Sequence, residues 1–417
     1  MNRRRLATAA GLYSSVGLGL FATVVATWEF DRHEFGLFAT ALAAAALFES
    51  LLDLTVEESL TKYGFRYIAG TEWGRLRRLF AVAVRLKALG ATLALVALIV
   101  AAFVVGRNLR APLLVVAFLP LVQTQEDIAA TALLLRSRYD IRAAFLVLSM
   151  ALRLAGIAVG AHYGPVWAIT GVVVAQAIST AAISITGVIA FRRFPTAPTR
   201  PLAEDRREIL SFVAQSSVAS GIISLRTLLP PILLGLAAGT TEVGVFRTAQ
   251  APQSGFAAAS SPVRLILLTE QTRDWEHGRE RSVLVGVRRY TLSAAGLMVI
   301  AVPIFYWAMP TLVRVVFHGK YPDAVTPARV MLFAAALQLV VGWSKSLPVT
   351  IGKPKLRIWA HGVETVVLLP LVVVLSWKWG VTGAAVAILA SSCVFVAVWS
   401  VFLLRLRGEV ASREAAA

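Results

Sequence analysis

Phe35-Gly-Leu-Phe-Ala-Thr-Ala41 returns as Val243-Gly-Val-Phe-Arg-Thr-Ala249, 208 positions later, and each copy opens a long apolar run. Working outward from these two copies, other pairs keep the same order. Tyr13-Ser-Ser-Val-Gly-Leu-Gly19 parallels Gln215-Ser-Ser-Val-Ala-Ser-Gly221, Arg77-Arg78 parallels Arg288-Arg289, and Tyr163-Gly164 resembles Trp379-Gly380. The offsets, 202, 208, 211 and 216, rise steadily, as small insertions in a duplicated chain make them rise. Two matching lobes are implied.

The runs themselves set the fold class. Of 417 residues, 58% are hydrophobic and 15% charged, against about 45–50% and about 25% in a soluble domain. A soluble globule is excluded. Runs bounded by charges, Pro or Gly give twelve expected spans: 6–27, 36–56, 79–105, 111–134, 141–161, 165–191, 209–235, 241–266, 286–307, 325–347, 356–377 and 380–404. At about 20 residues per crossing, they leave no length for a folded extramembrane domain. The expectation is an all-α polytopic membrane protein, with about twelve transmembrane helices in two pseudo-symmetric six-helix lobes. The lobes cover 1–191 and 209–417, and a cytoplasmic linker, 192–208, contains Pro195, Pro198 and Pro201. Six spans per lobe start both lobes on the same side, a parallel repeat.

Net charge is +18, from 41 Lys and Arg against 23 Asp and Glu. With the N-terminus inside, 29 basic residues fall in cytoplasmic segments, six in outer loops and six within spans. That asymmetry is the positive-inside signature, so both termini are expected in the cytoplasm and nucleic acid is not needed to explain the charge. The location expected is the cytoplasmic membrane. Met1-Asn-Arg-Arg-Arg5 resembles the start of a signal peptide, but the run from Leu6 to Thr27 is long enough to span and lacks a convincing cleavage site. It reads as a retained first helix.

Little points to cofactor chemistry. Cys393 is the single cysteine and the five histidines lack ligand spacing, so neither a disulfide within the chain nor a metal site is expected. The sequence has no phosphate-binding Gly-x-x-x-x-Gly-Lys-Ser/Thr loop. No cofactor is expected, and any transport is secondary.

Ionisable residues within spans are costly, about 2.5–3.5 kcal/mol each on insertion scales, and face a cavity or a partner. Arg85 and Lys87, near the inner end of the third span, are placed to snorkel to water. Glu126, Asp127 and Arg153 on adjacent spans are candidates for ion coupling or for an ion pair within the lobe. Glu49, Asp53 and Glu57 recur every four residues, hence on one helix face, with Glu57 expected at the membrane–water interface. Arg226 and Arg247 are the leading cationic candidates, since neither has an acidic neighbour three or four positions away. The eighth span is also the most polar, with Thr248, Gln250, Gln253, Ser254, Ser260 and Ser261 beside Pro252 and Pro262. A polar, broken helix at membrane depth belongs against protein or water. Arginine there suits a phosphate, which its planar fork binds bidentately at any pH.

Several motifs together resemble the polysaccharide-export, or oligosaccharide flippase, family of the multidrug/oligosaccharidyl-lipid/polysaccharide (MOP) transporter superfamily. They are Phe35-Gly-Leu-Phe38, Glu242-Val-Gly-Val-Phe-Arg247, Val316-Phe-His-Gly-Lys-Tyr-Pro-Asp-Ala324 and Gly380-Val-Thr-Gly-Ala-Ala385, with the first helix. The resemblance implies a V-shaped protein with its cavity formed mainly by spans one, two, seven and eight. It implies a flippase, not an enzyme, that moves undecaprenyl-pyrophosphate-linked oligosaccharide across the cytoplasmic membrane by alternating access. On this sequence Arg226 and Arg247 would engage the pyrophosphate, and Gln215, Ser216 and Gln250 the sugar hydroxyls. Tyr13, Ser14, Glu49 and Asp53 would line the cavity. The first span lacks an arginine, which disfavours lipid II as the substrate. Expected partners are the lipid-linked glycan, membrane lipids and a polymerase or glycosyltransferases of the same pathway.

Three other functions stay open, one of them a non-catalytic scaffold in a glycan-assembly complex. A multidrug/cation antiporter of the same superfamily would couple protons through acids such as Glu49 or Asp53. A membrane-embedded glycan polymerase or ligase would need a large outer loop, whereas the longest expected here, Met309 to Pro322, is short.

Overall fold

A computed structural model describes residues 3–52, 56–202, 205–251, 253–256, 271, 274–275, 279–345, 347–351, 353 and 355–416. Asp53 and most of the far half of the eighth expected span, including Pro252, Ser260, Ser261 and Pro262, lie outside them. Among the described residues the regular elements are helices only. The chain divides into two compact units, Met1–Ser224 and Leu225–Ala417.

The first unit contains α1 (Arg3–Glu29), α2 (Arg32–Leu52), α3 (Val56–Ala69), α4 (Trp73–Val104), α5 (Arg107–Val116), α6 (Phe118–Gln123), α7 (Glu126–Leu135), α8 (Tyr139–Ala161), α9 (Pro165–Arg192) and the start of α10 (Asp205–Ala238). Leu225 onward belongs to the second unit, with α11 (Thr240–Ala249), α12 (Glu280–Val316), α13 (Val325–Val340) and α14 (Lys355–Ala416).

Among the described residues, ten helical segments are long and apolar enough to cross a membrane. The last, Lys355–Val410, has 56 residues, enough for two crossings at about 20 residues each with length to spare. It breaks at Trp379 and Gly380, whose backbone angles are not helical. The break falls between the expected eleventh and twelfth spans.

Several helices outrun the apolar runs that announce them. The expected outer loop from Met309 is helical through Val316, because α12 continues to that residue. Likewise α4 begins at Trp73 and α10 at Asp205, ahead of the apolar stretches. Arg, Glu and Lys are good helix formers, so a helix continues past the hydrocarbon depth. Hydropathy marks that depth, not the helix ends.

Small residues set the tightest packing in the first unit. Gly156 and Gly160 on α8, spaced as Gly-x-x-x-Gly, face Gly171 and Trp167 of α9 so closely that a Cβ on Gly156 would strike the Gly171 backbone. Without a strong hydrophobic drive in lipid, such close backbone approach is how helices gain van der Waals contact.

Between α2 and α4, α3 is amphipathic. Val56, Leu60, Tyr63, Gly64 and Tyr67 form one buried face, while Glu58, Phe65 and Arg66 are exposed. That face joins a core with Phe194, Leu202, Ile209 and Val213, so the proline-rich segment after α9 is packed against the first unit. Arg200 N–H donates to the Gly74 carbonyl at 3.1 Å, and Arg136 Nη1 to the Arg193 carbonyl at 3.1 Å. Two tyrosines clamp the start of α10. Tyr67 Oη donates to Asp205 at 2.9 Å and Tyr63 Oη to Glu208 at 3.0 Å. Burial and the neighbouring carboxylates push the Tyr63 hydroxyl up to about 12, which keeps it a donor.

Candidate functional site

In the first unit the polar site forms where a helix is interrupted. The fourth expected span is built of α5, α6 and α7, with breaks at Ala117 and at Thr124–Gln125. Pro120 has no N–H for the ladder, and Thr124 Oγ1 turns back to the Pro120 and Leu121 carbonyls at 3.1 and 2.8 Å. The second break presents Gln123, Thr124 and Asp127 to Lys87 of α4 and Glu49 of α2, around a cavity of about 10 Å³, room for roughly one water.

Lys87 does not snorkel. Its side chain is 4% exposed, with Nζ 2.8 Å from Asp127 and 3.4 Å from Glu57. The sequence position suggested a reach to water, yet two carboxylates hold the ammonium inside. Glu57 belongs to this cluster as much as to any interface. Glu49 lies beside Gln123, whose amide nitrogen comes within 2.8 Å of the carboxylate when the amide is turned to donate.

The trio Glu126, Asp127 and Arg153 is divided among partners. Asp127 pairs with Lys87, and Glu126 accepts from Gln176 of α9, which also contacts Thr180. Arg153 of α8 lies in the field of Glu49 and Glu126, and its buried Nε has no hydrogen-bond partner. Tyr13 and Ser14 are exposed on α1; Gln215 is exposed on α10 and donates to Ser211 at 3.1 Å, and Ser216 is half-buried.

Arg226 and Arg247 sit in the second unit in different environments. Arg226 Nη1 donates to Glu364 Oε1 of α14 at 2.9 Å, and the other Glu364 oxygen lies 3.2 Å from His361 Nδ1. Glu364 is 1% exposed, and His361 stacks on Phe395 at 5.1 Å. The guanidinium that has no acidic neighbour in sequence therefore has one in space, 138 positions away. Arg226 Nε remains buried without a partner.

Arg247, at the end of α11, has no carboxylate at salt-bridge distance among the described residues, and its contact is the Gln250 side-chain oxygen at 3.5 Å. Beyond it a polar chain continues, Gln253 donating to Gln338 of α13 at 3.3 Å and Gln338 to Ser392 of α14 at 3.1 Å. At its other end α11 is tied down by Glu242, which accepts the Val381 backbone N–H at 2.7 Å. That N–H opens the helix after the break, a favourable place for a carboxylate. Gly380 just before it has φ +55° and faces Glu242 where a Cβ would crowd the carboxylate. Among the described residues no group of three His, Cys, Asp or Glu could hold a metal ion.

Residues 6–260 match a family model described as polysaccharide biosynthesis protein. The chain belongs to that family. Among curated proteins none matches it by sequence. The fold of this family member is that of the MOP superfamily. It is similar to the inward-facing conformation of a multidrug resistance MATE family transporter of that superfamily, with TM-score 0.69, 14% identity and coverage of 100% of this chain and 96% of the other. The outward-facing conformation of such a transporter gives TM-score 0.67 at 14% identity, covering 100% and 98%. A MOP superfamily transporter from Pyrococcus furiosus, reported with a binding pocket of reversed polarity, gives 0.66 at 12% identity, covering 98% and 96%. The chain is thus a member of the polysaccharide biosynthesis family with the fold of MOP superfamily transporters, and among the described residues its long apolar helices are those of a multi-pass membrane protein.

Proposed function

We propose that this protein is a transporter that moves an undecaprenyl-pyrophosphate-linked oligosaccharide across the cytoplasmic membrane by alternating access, through twelve spans with both termini inside. Membership of the polysaccharide biosynthesis family supports the substrate class. The observation that carries the reading within the chain is Arg247, a cation on a polar helix with no carboxylate partner among the described residues. Arg247 is half-buried; a partly desolvated guanidinium without a counter-charge is costly, and a pyrophosphate supplies the missing charge with matching fork geometry. Arg226 is the weaker ligand, since Glu364 already occupies one edge of its guanidinium. Gln250 and Gln253, just past the end of α11, present amides suited to sugar hydroxyls.

The test is glycan export in cells producing Arg247→Ala, compared with the parent at equal protein level. Loss of surface glycan, with accumulation of the lipid-linked precursor, supports the reading; unchanged export removes Arg247 from it. The acidic cluster of Glu49, Glu57 and Asp127 in the first unit favours a second reading, a multidrug/cation antiporter. Resistance to cationic dyes without a glycan phenotype is its signature.

A further inference from the structure

Away from both polar sites, the first unit holds a cavity of about 300 Å³ bounded by α4, α7 and α9. We propose that it is the seat of one anionic phospholipid, an acyl chain lying in the cavity and the phosphate on Arg77 and Arg136.

The floor is made of small residues. Gly187 of α9 packs so tightly on Ala129 of α7 that a Cβ on Gly187 would strike Ala129. Val84 of α4 and Val188 of α9 form the walls, and Val188 is 50% exposed on the flank of a candidate span. At one end Phe80 and Phe191 meet at 4.6 Å and close the space. Above them Arg77 lies 5.5 Å from the Phe191 ring, with Nη2 donating to the Pro195 carbonyl at 3.3 Å. An apolar slot opening sideways on a membrane span suits a chain dissolved in the bilayer, not a soluble solute.

Two buried polar atoms along the cavity have no hydrogen-bond partner, Arg77 Nε and, deeper, Ser184 Oγ. Native interiors rarely leave such groups unsatisfied. Charge completes the argument. Arg77, Arg78, Arg136, Arg192 and Arg193 gather where α4 begins and α7 and α9 end, and among the described residues none has a carboxylate at salt-bridge distance. Arg136 is fixed over Phe194 at 5.3 Å and by its bond to the Arg193 carbonyl, so its position is set before any ligand arrives. Basic pockets beside an apolar groove at one end of a helix bundle select anionic headgroups.

The test uses the full-length protein purified in detergent and native mass spectrometry with added phosphatidylglycerol or phosphatidylcholine. The expected result is retention of one phosphatidylglycerol at least tenfold over phosphatidylcholine. Arg77→Gln with Arg136→Gln should bring the two lipids to parity. Ala81→Trp, at an exposed position on the rim, should abolish retention of both. Equal retention of the two lipids by the parent protein, or phosphatidylglycerol retention unchanged in both variants, would overturn the proposal.

Discussion

Glu364 on α14 grips Arg226 on α10 at 2.9 Å while its second oxygen faces His361 at 3.2 Å, so one buried carboxylate organises two cationic-capable side chains. Breaking such a pair from one side leaves an uncompensated charge, which costs about 3–5 kcal/mol, whereas apolar replacement of both partners is often neutral. Glu364→Ala should therefore lower the thermal midpoint in detergent sharply, and Arg226→Met with Glu364→Met should recover most of it. A double variant as unstable as the single one would show that the pair is not the unit that matters.

Arg247 should behave in the opposite way. With no carboxylate partner among the described residues, Arg247→Ala removes a half-buried charge and should leave stability equal or higher, while transport falls at least tenfold. Arg247→Lys keeps the charge without the bidentate fork and should fall between. A paired loss of stability and transport in Arg247→Ala would assign it a structural role.

Lys87 is held by two carboxylates with its side chain 4% exposed. Lys87→Met should destabilise the first unit by about 1–3 kcal/mol, less than a fully buried pair would cost, because Asp127 and Glu57 lose their shared cation but remain partly exposed to solvent. Adding Asp127→Asn should restore part of the loss, measurable as a rise in thermal midpoint over the single variant.

At the clamp on α10, Tyr63 donates to Glu208, and its hydroxyl is raised from 10.0 to about 12. A folded-state value above the unfolded one means that the contribution is whole below about pH 10 and is lost as pH rises through about 12. Tyr63→Phe should cost about 1.5–3 kcal/mol at neutral pH, the range for hydrogen bonds to charged groups. Its stability should then decline less than the parent's between pH 10 and 12. Parallel decline in both proteins would place the alkaline transition elsewhere.

Much of the architecture was legible from the chain. Apolar runs announced an all-helical chain, with ten segments among the described residues long and apolar enough to span where twelve were expected. The pairing of Tyr163-Gly164 with Trp379-Gly380 marked two helix starts where glycine adopts positive φ, +106° and +55°. The meeting of Glu242 with Val381 joins two of the motifs that carried the family resemblance. What escaped was contact between distant positions. A search three or four residues either side of Arg226 finds local helix neighbours only, and Glu364 lies on another helix. Lys87 misled for the same reason, since nearness to a span end predicts snorkelling only when no carboxylate lies closer than water. Amphipathic α3 was hidden because its tyrosines and glycine carry little hydropathy.

The central claim is that this chain moves a lipid-linked glycan, with Arg247 on the pyrophosphate. Its most direct measure is translocation of a fluorescent undecaprenyl-pyrophosphate oligosaccharide by the purified protein in proteoliposomes, read as accessibility to an external glycosidase. The account predicts rapid exposure with the parent protein and a rate at least tenfold lower with Arg247→Ala. Exposure no faster than in protein-free vesicles, together with proton-coupled uptake of a cationic dye by the same preparation, would contradict it.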